Sequence, residues 1–142
     1  MAIDPNATIR QAAAIPIKKG QLCLVTSRSG KRWVIPKGTM EPGKTAGEIA
    51  LQEAWEEAGL TGVLQREPVG SYLYEKLGFV HHVIVFIMRV TDVANDWPEQ
   101  SFREREWVQL DEAPVRVEEP GLRELVREAV KLERNGRPVR AR

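Results

Sequence analysis

GTMEPGKTAGEIALQEAWEEAGL, residues Gly38 to Leu60, is the stretch from which the rest of the chain is read. It holds a Pro42-Gly43 turn, a helix start, three closely spaced carboxylates and a glycine stop. Thr45 followed by Glu48 fits a capping box, in which each side chain satisfies a free backbone N–H of the first turn. Gly59 supplies a left-handed C-terminal stop. Between them, Glu53, Glu56 and Glu57 fall at i, i+3 and i+4, a spacing that gathers helical neighbours on one face. Three carboxylates in one patch repel each other unless a cation or a proton resolves the conflict. A metal site is the first hypothesis.

At ~100° per residue, the three glutamates share a sector with Ala46, Ile49 and Ala50. Leu51, Trp55 and Ala58 lie on the other side, so the helix is expected to be held between layers. A solvated acidic face would be cleaner than this mixture. Carboxylate oxygens are hard ligands suited to Mg²⁺ or Mn²⁺, and such sites usually bind the ion together with substrate phosphates. Basic residues ahead of the helix, Arg28, Lys31, Arg32 and Lys37, fit phosphate chemistry.

Outward from this helix the chain alternates strands and turns. Arg10 to Ile17 reads as a small-residue strand, with Pro16 pointing to an edge or a bulge. Lys18-Lys19-Gly20 turns it into a partner strand, Gln21 to Thr26. Arg32 to Pro36 is a short apolar strand delivering the chain to Lys37-Gly38. After the helix, Val63 to Glu75 is strand material broken near Pro68 and Gly70, and Lys76-Leu77-Gly78 turns again. His81 to Val90 is the most apolar run and reads as a buried central strand. A polar loop, Thr91 to Gln100, precedes the strand Glu106 to Leu110, and Asp111 to Pro114 opens a loop or short turn. Gly121 to Leu132 is an amphipathic helix. Strands before and after one central helix, with a second helix closing the chain, give an α/β domain with a mixed sheet between helices. The expected organisation is a lead-in over 1–8, one domain over 9–134 and a basic tail over 135–142.

The 142 residues are about one domain, 42% hydrophobic and 29% charged, with a formal net charge of +1. Nucleic-acid coating needs a far more basic chain, so no nucleic-acid partner is expected. Cys23 is the only cysteine; no intrachain disulfide or multi-thiolate site is available, and its apolar neighbours make it a core residue. No apolar run is long enough for a bilayer and the start lacks the core of a secretory signal, so no membrane partner and a cytoplasmic location are the expectations.

The opening stretch resembles the signature of the Nudix hydrolases: G, five residues, E, seven residues, then R-E-U-x-E-E-x-G-U, with U a bulky aliphatic residue. Gly38, Glu53, Glu56, Glu57, Gly59 and Leu60 match at the right spacing, with Ala54 at the first U. Lys44 stands where the first Glu is expected and Gln52 where the Arg is expected. The similarity extends to the diphosphoinositol polyphosphate and diadenosine polyphosphate branch, over RWVIPKGTMEPG, VTDVANDW and REREWVQLDEA. It then spans roughly residues 10–115.

The resemblance implies the family's α/β/α sandwich and a Mg²⁺-dependent hydrolysis of a phosphoanhydride in a small-molecule substrate, with Mn²⁺ as a substitute. By the same resemblance Glu53 and Glu57 are metal ligands, Glu56 is the general base or a further ligand, and the backbone carbonyl of Gly38 or Lys37 completes the shell. Arg10, Arg28 and Arg105 match polyphosphate-contacting positions, with Arg32 and Lys37 beside them. A further acid outside the signature is sought at Glu75, Glu104 or Glu106. His81 and His82 should face opposite sides of their strand, one of them toward the site or each an ordinary half-buried histidine. Trp33, Tyr72, Tyr74 and Phe79 are either base-stacking or core residues. Two other functions stay open: a nucleoside triphosphate pyrophosphohydrolase, and a non-catalytic nucleotide-sensing module.

Overall fold

The computed structural model describes residues 8–136; 1–7 and 137–142, most of the expected lead-in and tail, lie outside the described residues. In chain order the elements are β1 (Ile9–Lys18), β2 (Gln21–Thr26), β3 (Trp33–Val34), β4 (Lys37–Thr39), α1 (Ala46–Ala58), β5 (Leu60–Leu64), β6 (Gly70–Lys76), β7 (Phe79–Val93), β8 (Arg105–Gln109), α2 (Ala113–Arg116) and α3 (Pro120–Arg134). The strands form one mixed sheet with the path β3-β2-β1-β7-β5; β4 pairs with β1, β6 with β7 and β8 with β2.

The longest pairing is parallel, β1 on β7 from Ile9 opposite His81 to Ile17 opposite Arg89. Alternation along these two strands builds two cores. Ala13, Ile15, Ile17, Val83, Val85 and Ile87 pack against Leu122, Val126 and Ala129 of α3. Ala12, Ala14, Phe86 and Met88 pack on the other face against Ile49, Ala50, Ala54 and Ala58 of α1. The architecture is an α/β/α sandwich with the sheet in the middle.

Small residues decide how near α1 comes to the sheet. Alanines on β1 face alanines on the helix, and Ile49, fully buried, is the large anchor between them. Burying such a side chain contributes roughly 1.5–3 kcal/mol. The helix is an outer layer, contrary to the expectation that it is held between layers. Trp55 is 42% exposed on its far side.

Several boundaries differ from the sequence reading. Lys37–Thr39, read as turn entry, is a strand, with Gly38 opposite Ala12. Pro16 is on neither an edge strand nor a bulge. It lies in β1 opposite Met88, where the other edge of β1 passes from β4 to β2. Ala14, of the same parity, sends its N–H to Pro36 O on that split edge. The missing proline N–H therefore costs no bond to β7. The expected broken strand over 63–75 is two strands, β5 and β6, on one edge of β7, and β5 starts directly after Gly59. Strand β7 reaches beyond the apolar run at both ends, and 113–116 is a helical turn.

Candidate functional site

Helix α1 is set at both ends. Thr45 accepts from the Glu48 N–H and the Glu48 carboxylate accepts from the Thr45 N–H, the complete capping box. At the other end Gly59 adopts φ +68, and a Cβ there would meet Trp97 and Arg105 at 2.9 Å. The last four helical carbonyls, ordinarily orphaned, all find donors. The Gly59 N–H reaches Trp55 O, the Glu99 N–H Glu56 O, the Trp97 indole Glu57 O and the Arg105 guanidinium Ala58 O. Three of these donors come from the 97–105 segment, which is thereby fastened to the acidic end of the helix.

Of the three glutamates, Glu53 projects from this fixed helix onto β4. Glu53 lies against Gly38 so closely that any side chain at position 38 would overlap its carboxyl group. Burial pushes the Glu53 carboxyl up to about 9, helped by hydrogen bonding to Glu57 and by the charges of Glu57 and Glu56. Burial also raises Glu57, against the opposing effects of the Glu53 hydrogen bond and Arg103. Glu57 is a buried carboxylate and Glu56 is half-buried. The Glu53 and Glu57 carboxyls ionise together only with a counter-charge beside them.

Arg103 supplies part of that charge. Its guanidinium reaches Glu57 at 3.7 Å, Glu99 at 2.7 Å and Thr26 O at 2.9 Å, almost wholly out of solvent. Lys37 supplies more: burial lowers its pKa, Glu57 raises it, and Lys76, Arg103 and Arg32 lower it further. Its ammonium lies 5.4 Å above the Tyr74 ring, which stacks on His81 at 4.5 Å and donates its hydroxyl to Gln11. A basic, aromatic shelf therefore adjoins the acidic end of the helix.

Among the described residues no three acidic, histidine or cysteine side chains converge into a metal cage on their own. The donor chemistry nevertheless fits a hard divalent cation. Half-buried Glu53 and buried Glu57 offer oxygen ligands whose mutual repulsion a cation relieves, and Mg²⁺ characteristically takes one or two carboxylates plus phosphate oxygens.

The structure thus gathers Gly38, Glu53, Glu56 and Glu57, with Lys37 close by and Arg32 near it. The other expected basic residues are placed elsewhere. Arg10 is exposed at the start of β1, in register with half-buried His82. Arg28 lies over Phe102 at 5.0 Å. Arg105 is committed to the carbonyls of Ala58 and Ala94 and stacks on Trp97 at 4.0 Å. Its guanidinium holds the end of α1. Among the acids sought outside the signature, Glu75 is exposed on β6, Glu104 is exposed, and Glu106 pairs with Arg116. Glu99, reaching Glu57 through Arg103, is nearer than any of them. Tyr72 is core, and Phe79 is 45% exposed. Cys23 is buried, its thiol pushed up to about 12 by burial.

Arg103, Trp97, Glu99 and Lys76 escaped the sequence reading. The blocks VTDVANDW and REREWVQLDEA contain two of them, but nothing in a linear run says which arginine turns inward.

Arg103 also lines an open surface groove of about 570 Å³, together with Trp33, Trp97, Asn95, Gln100 and Arg105 among others. The signature's two departures also touch each other: Lys44 Nζ donates to Gln52 Oε1, and Gln52 Nε2 donates to Glu41 at 3.3 Å.

Known proteins share this chain's sequence pattern and its fold. Nudix hydrolase 4 of Arabidopsis thaliana is 39% identical over 95 residues, 66% of this chain and 45% of that protein. Diphosphoinositol polyphosphate phosphohydrolase 3-beta of Bos taurus is 31% identical over 116 residues, covering 78% of this chain and 70% of that one. The chain spans about half the length of the plant relatives it matches. Its fold superposes on the crystal structure of C. elegans Ap4A hydrolase with a TM-score of 0.74 at 19% identity, covering 89% of this chain and 98% of that one. A NUDIX hydrolase from Nitrosomonas europaea gives 0.73 at 18% identity, covering 86% and 88%. With the NUDIX domain matching residues 8–129, across both layers of helix and the whole sheet, the chain belongs to the Nudix family.

Proposed function

We propose that this chain hydrolyses a phosphoanhydride bond in a small, highly charged substrate, with Mg²⁺ as cofactor and Mn²⁺ able to replace it. The observation that carries the reading is Glu53 lying against Gly38 with buried Glu57 beside it, within reach of Arg103 and the charge of Lys37. Glu53 and Glu57 are the residues to hold the metal, with a carbonyl at Lys37 or Gly38 completing what the protein offers. When bound, the cation neutralises phosphate oxygens and makes water a better nucleophile.

The chain's own residues do the rest. Glu56, half-buried beside the pair, accepts the proton of the attacking water. Lys37, Arg32 and Lys76 hold the phosphate chain by charge. Arg103 keeps Glu57 in place through its contacts with Glu99 and Thr26 O. The relatives named diphosphoinositol polyphosphate phosphohydrolases support an extended phosphoanhydride, of the inositol pyrophosphate or dinucleoside polyphosphate kind, as substrate.

One observation favours a second substrate class. The open groove that Arg103 lines combines indole rings with the amides of Asn95 and Gln100, the chemistry of nucleobase recognition, and supports a nucleoside triphosphate as the alternative.

The test is a screen of purified protein with Mg²⁺ against dinucleoside polyphosphates, nucleoside triphosphates, ADP-ribose and inositol pyrophosphates, beside Glu57→Gln. Turnover of at least one substrate, lost in Glu57→Gln, is expected. No turnover of any, or full turnover by the variant, removes the proposal.

A further inference from the structure

The segment between Gly38 and the helix cap is anchored at its two ends. Met40 donates its N–H to Arg10 O at 2.9 Å, and Thr45 is locked in the capping box. Its middle, Glu41 to Lys44, closes on itself through the Lys44 N–H to Glu41 O at 3.2 Å. It is fastened to the helix by the Gln52 side chain. The Gln52 amide oxygen accepts from Lys44 Nζ, its amide nitrogen donates to Glu41 Oε2 at 3.3 Å, and Lys44 and Glu41 face each other at 3.8 Å. Gln52 directly precedes Glu53 and lies one helical turn before Glu56.

We propose that Glu41, Lys44 and Gln52 form one positioning unit, in which Gln52 holds the 40–44 segment against α1 and so fixes Glu53 over Gly38. The Gln52 amide suits this bridge. Only a group with both an acceptor and a donor bridges a cation and an anion at once. An arginine at 52 opposes Lys44, and a glutamate at 52 opposes Glu41 while adding to the charge of Glu53 and Glu56. Lysine at 44 and glutamine at 52 are thus a matched exchange: each departure from the signature makes sense because of the other. Glu41 supplies the negative charge that the signature places at position 44.

The bridge is half exposed, with Lys44 and Glu41 at 42% and 48%. Solvent screens it, so its contribution to overall stability is small. Its effect is on where the carboxylates sit.

The kinetic arm of the test rests on the hydrolase reading; the metal arm stands without any substrate. The variants Lys44→Glu, Gln52→Arg, the double variant and Gln52→Met are compared with wild type. Mn²⁺ affinity is measured on the substrate-free proteins, and kcat and KM on the substrate turned over best. Each single variant is expected to weaken Mn²⁺ binding and lower kcat by about three- to tenfold, with KM within about twofold and unchanged unfolding midpoints. The double variant, which rebuilds a cation–anion pair in the reverse sense, is expected to return both quantities to within about twofold of wild type. Additive losses in the double variant, or wild-type behaviour of Gln52→Met, overturn the unit. If wild type turns over no phosphoanhydride, the hydrolase reading fails and the Mn²⁺ cycle alone decides the proposal.

Discussion

A Cβ built on Gly38 would lie 2.4 Å from the carboxyl carbon of Glu53, so the absence of a side chain at position 38 is what lets the glutamate lie against β4. The contact joins a strand and a helix that must be in register for the site to exist. Gly38→Ala is expected to displace Glu53 and lower kcat by about a hundredfold, with the far-UV spectrum intact. Retention of activity within twofold would show that Glu53 works from another position.

The Glu53 carboxyl, raised to about 9, makes the metal-free protein pH-sensitive in a defined direction. Below about 4.5 the folded and unfolded chains both carry the proton, and the group contributes nothing to the pH dependence. Between there and about 9 the unfolded chain has released a proton that the folded chain retains. Stability contributed by this group therefore falls as pH rises through that window. Urea midpoints in EDTA at pH 5, 7 and 9 should decline more steeply for wild type than for Glu53→Gln. Excess Mg²⁺ should flatten the wild-type trend, because the cation takes the proton's place.

Arg103 holds Glu57, Glu99 and Thr26 O at once, with 11% of its side chain exposed. Arg103→Met removes the cation in contact with a buried carboxylate, leaving only the more distant Lys37, and is expected to cost roughly 3 kcal/mol, measured by denaturant titration. Arg103→Lys keeps the charge but loses the fork, and should recover only part of the loss.

Arg105 offers a contrast. Its bonds to Ala58 O and Ala94 O and its stacking on Trp97 give it a structural task. Arg105→Lys should lower stability by about 2 kcal/mol and leave KM for a polyphosphate within twofold. A large rise in KM with unchanged stability would return Arg105 to the substrate.

For Lys37 the opposite pattern is expected. Lys37→Met removes a half-buried ammonium from the shelf over Tyr74. KM for the preferred substrate should rise about tenfold, with little change in the unfolding midpoint, as read by steady-state kinetics beside calorimetry.

Helix α1 was legible residue by residue, from the Thr45–Glu48 box to the Gly59 stop, because capping and periodicity act within a few positions along the chain. The central strand was legible for a related reason: a run such as HHVIVFIMRV has nowhere to go but the interior. Strand β4 was not, since Lys37-Gly38-Thr39 carries no apolar pattern and pairs only because β1 offers it an open edge. Pro16 misled for the same reason, its missing N–H being harmless where that edge changes partners.

The sequence by itself determined the acidic cluster: three glutamates at i, i+3 and i+4 share a face wherever the helix is put, and their mutual repulsion is a local property. Tertiary structure alone decided what answers that repulsion. Arg103 and not Arg105 turns toward Glu57, Lys37 sits within its field, and Gly38 lies beneath Glu53. Each of these partners comes from a distant part of the chain. Their placement depends on which strand edges pair and how closely the helix settles on the sheet, and no short-range pattern encodes either.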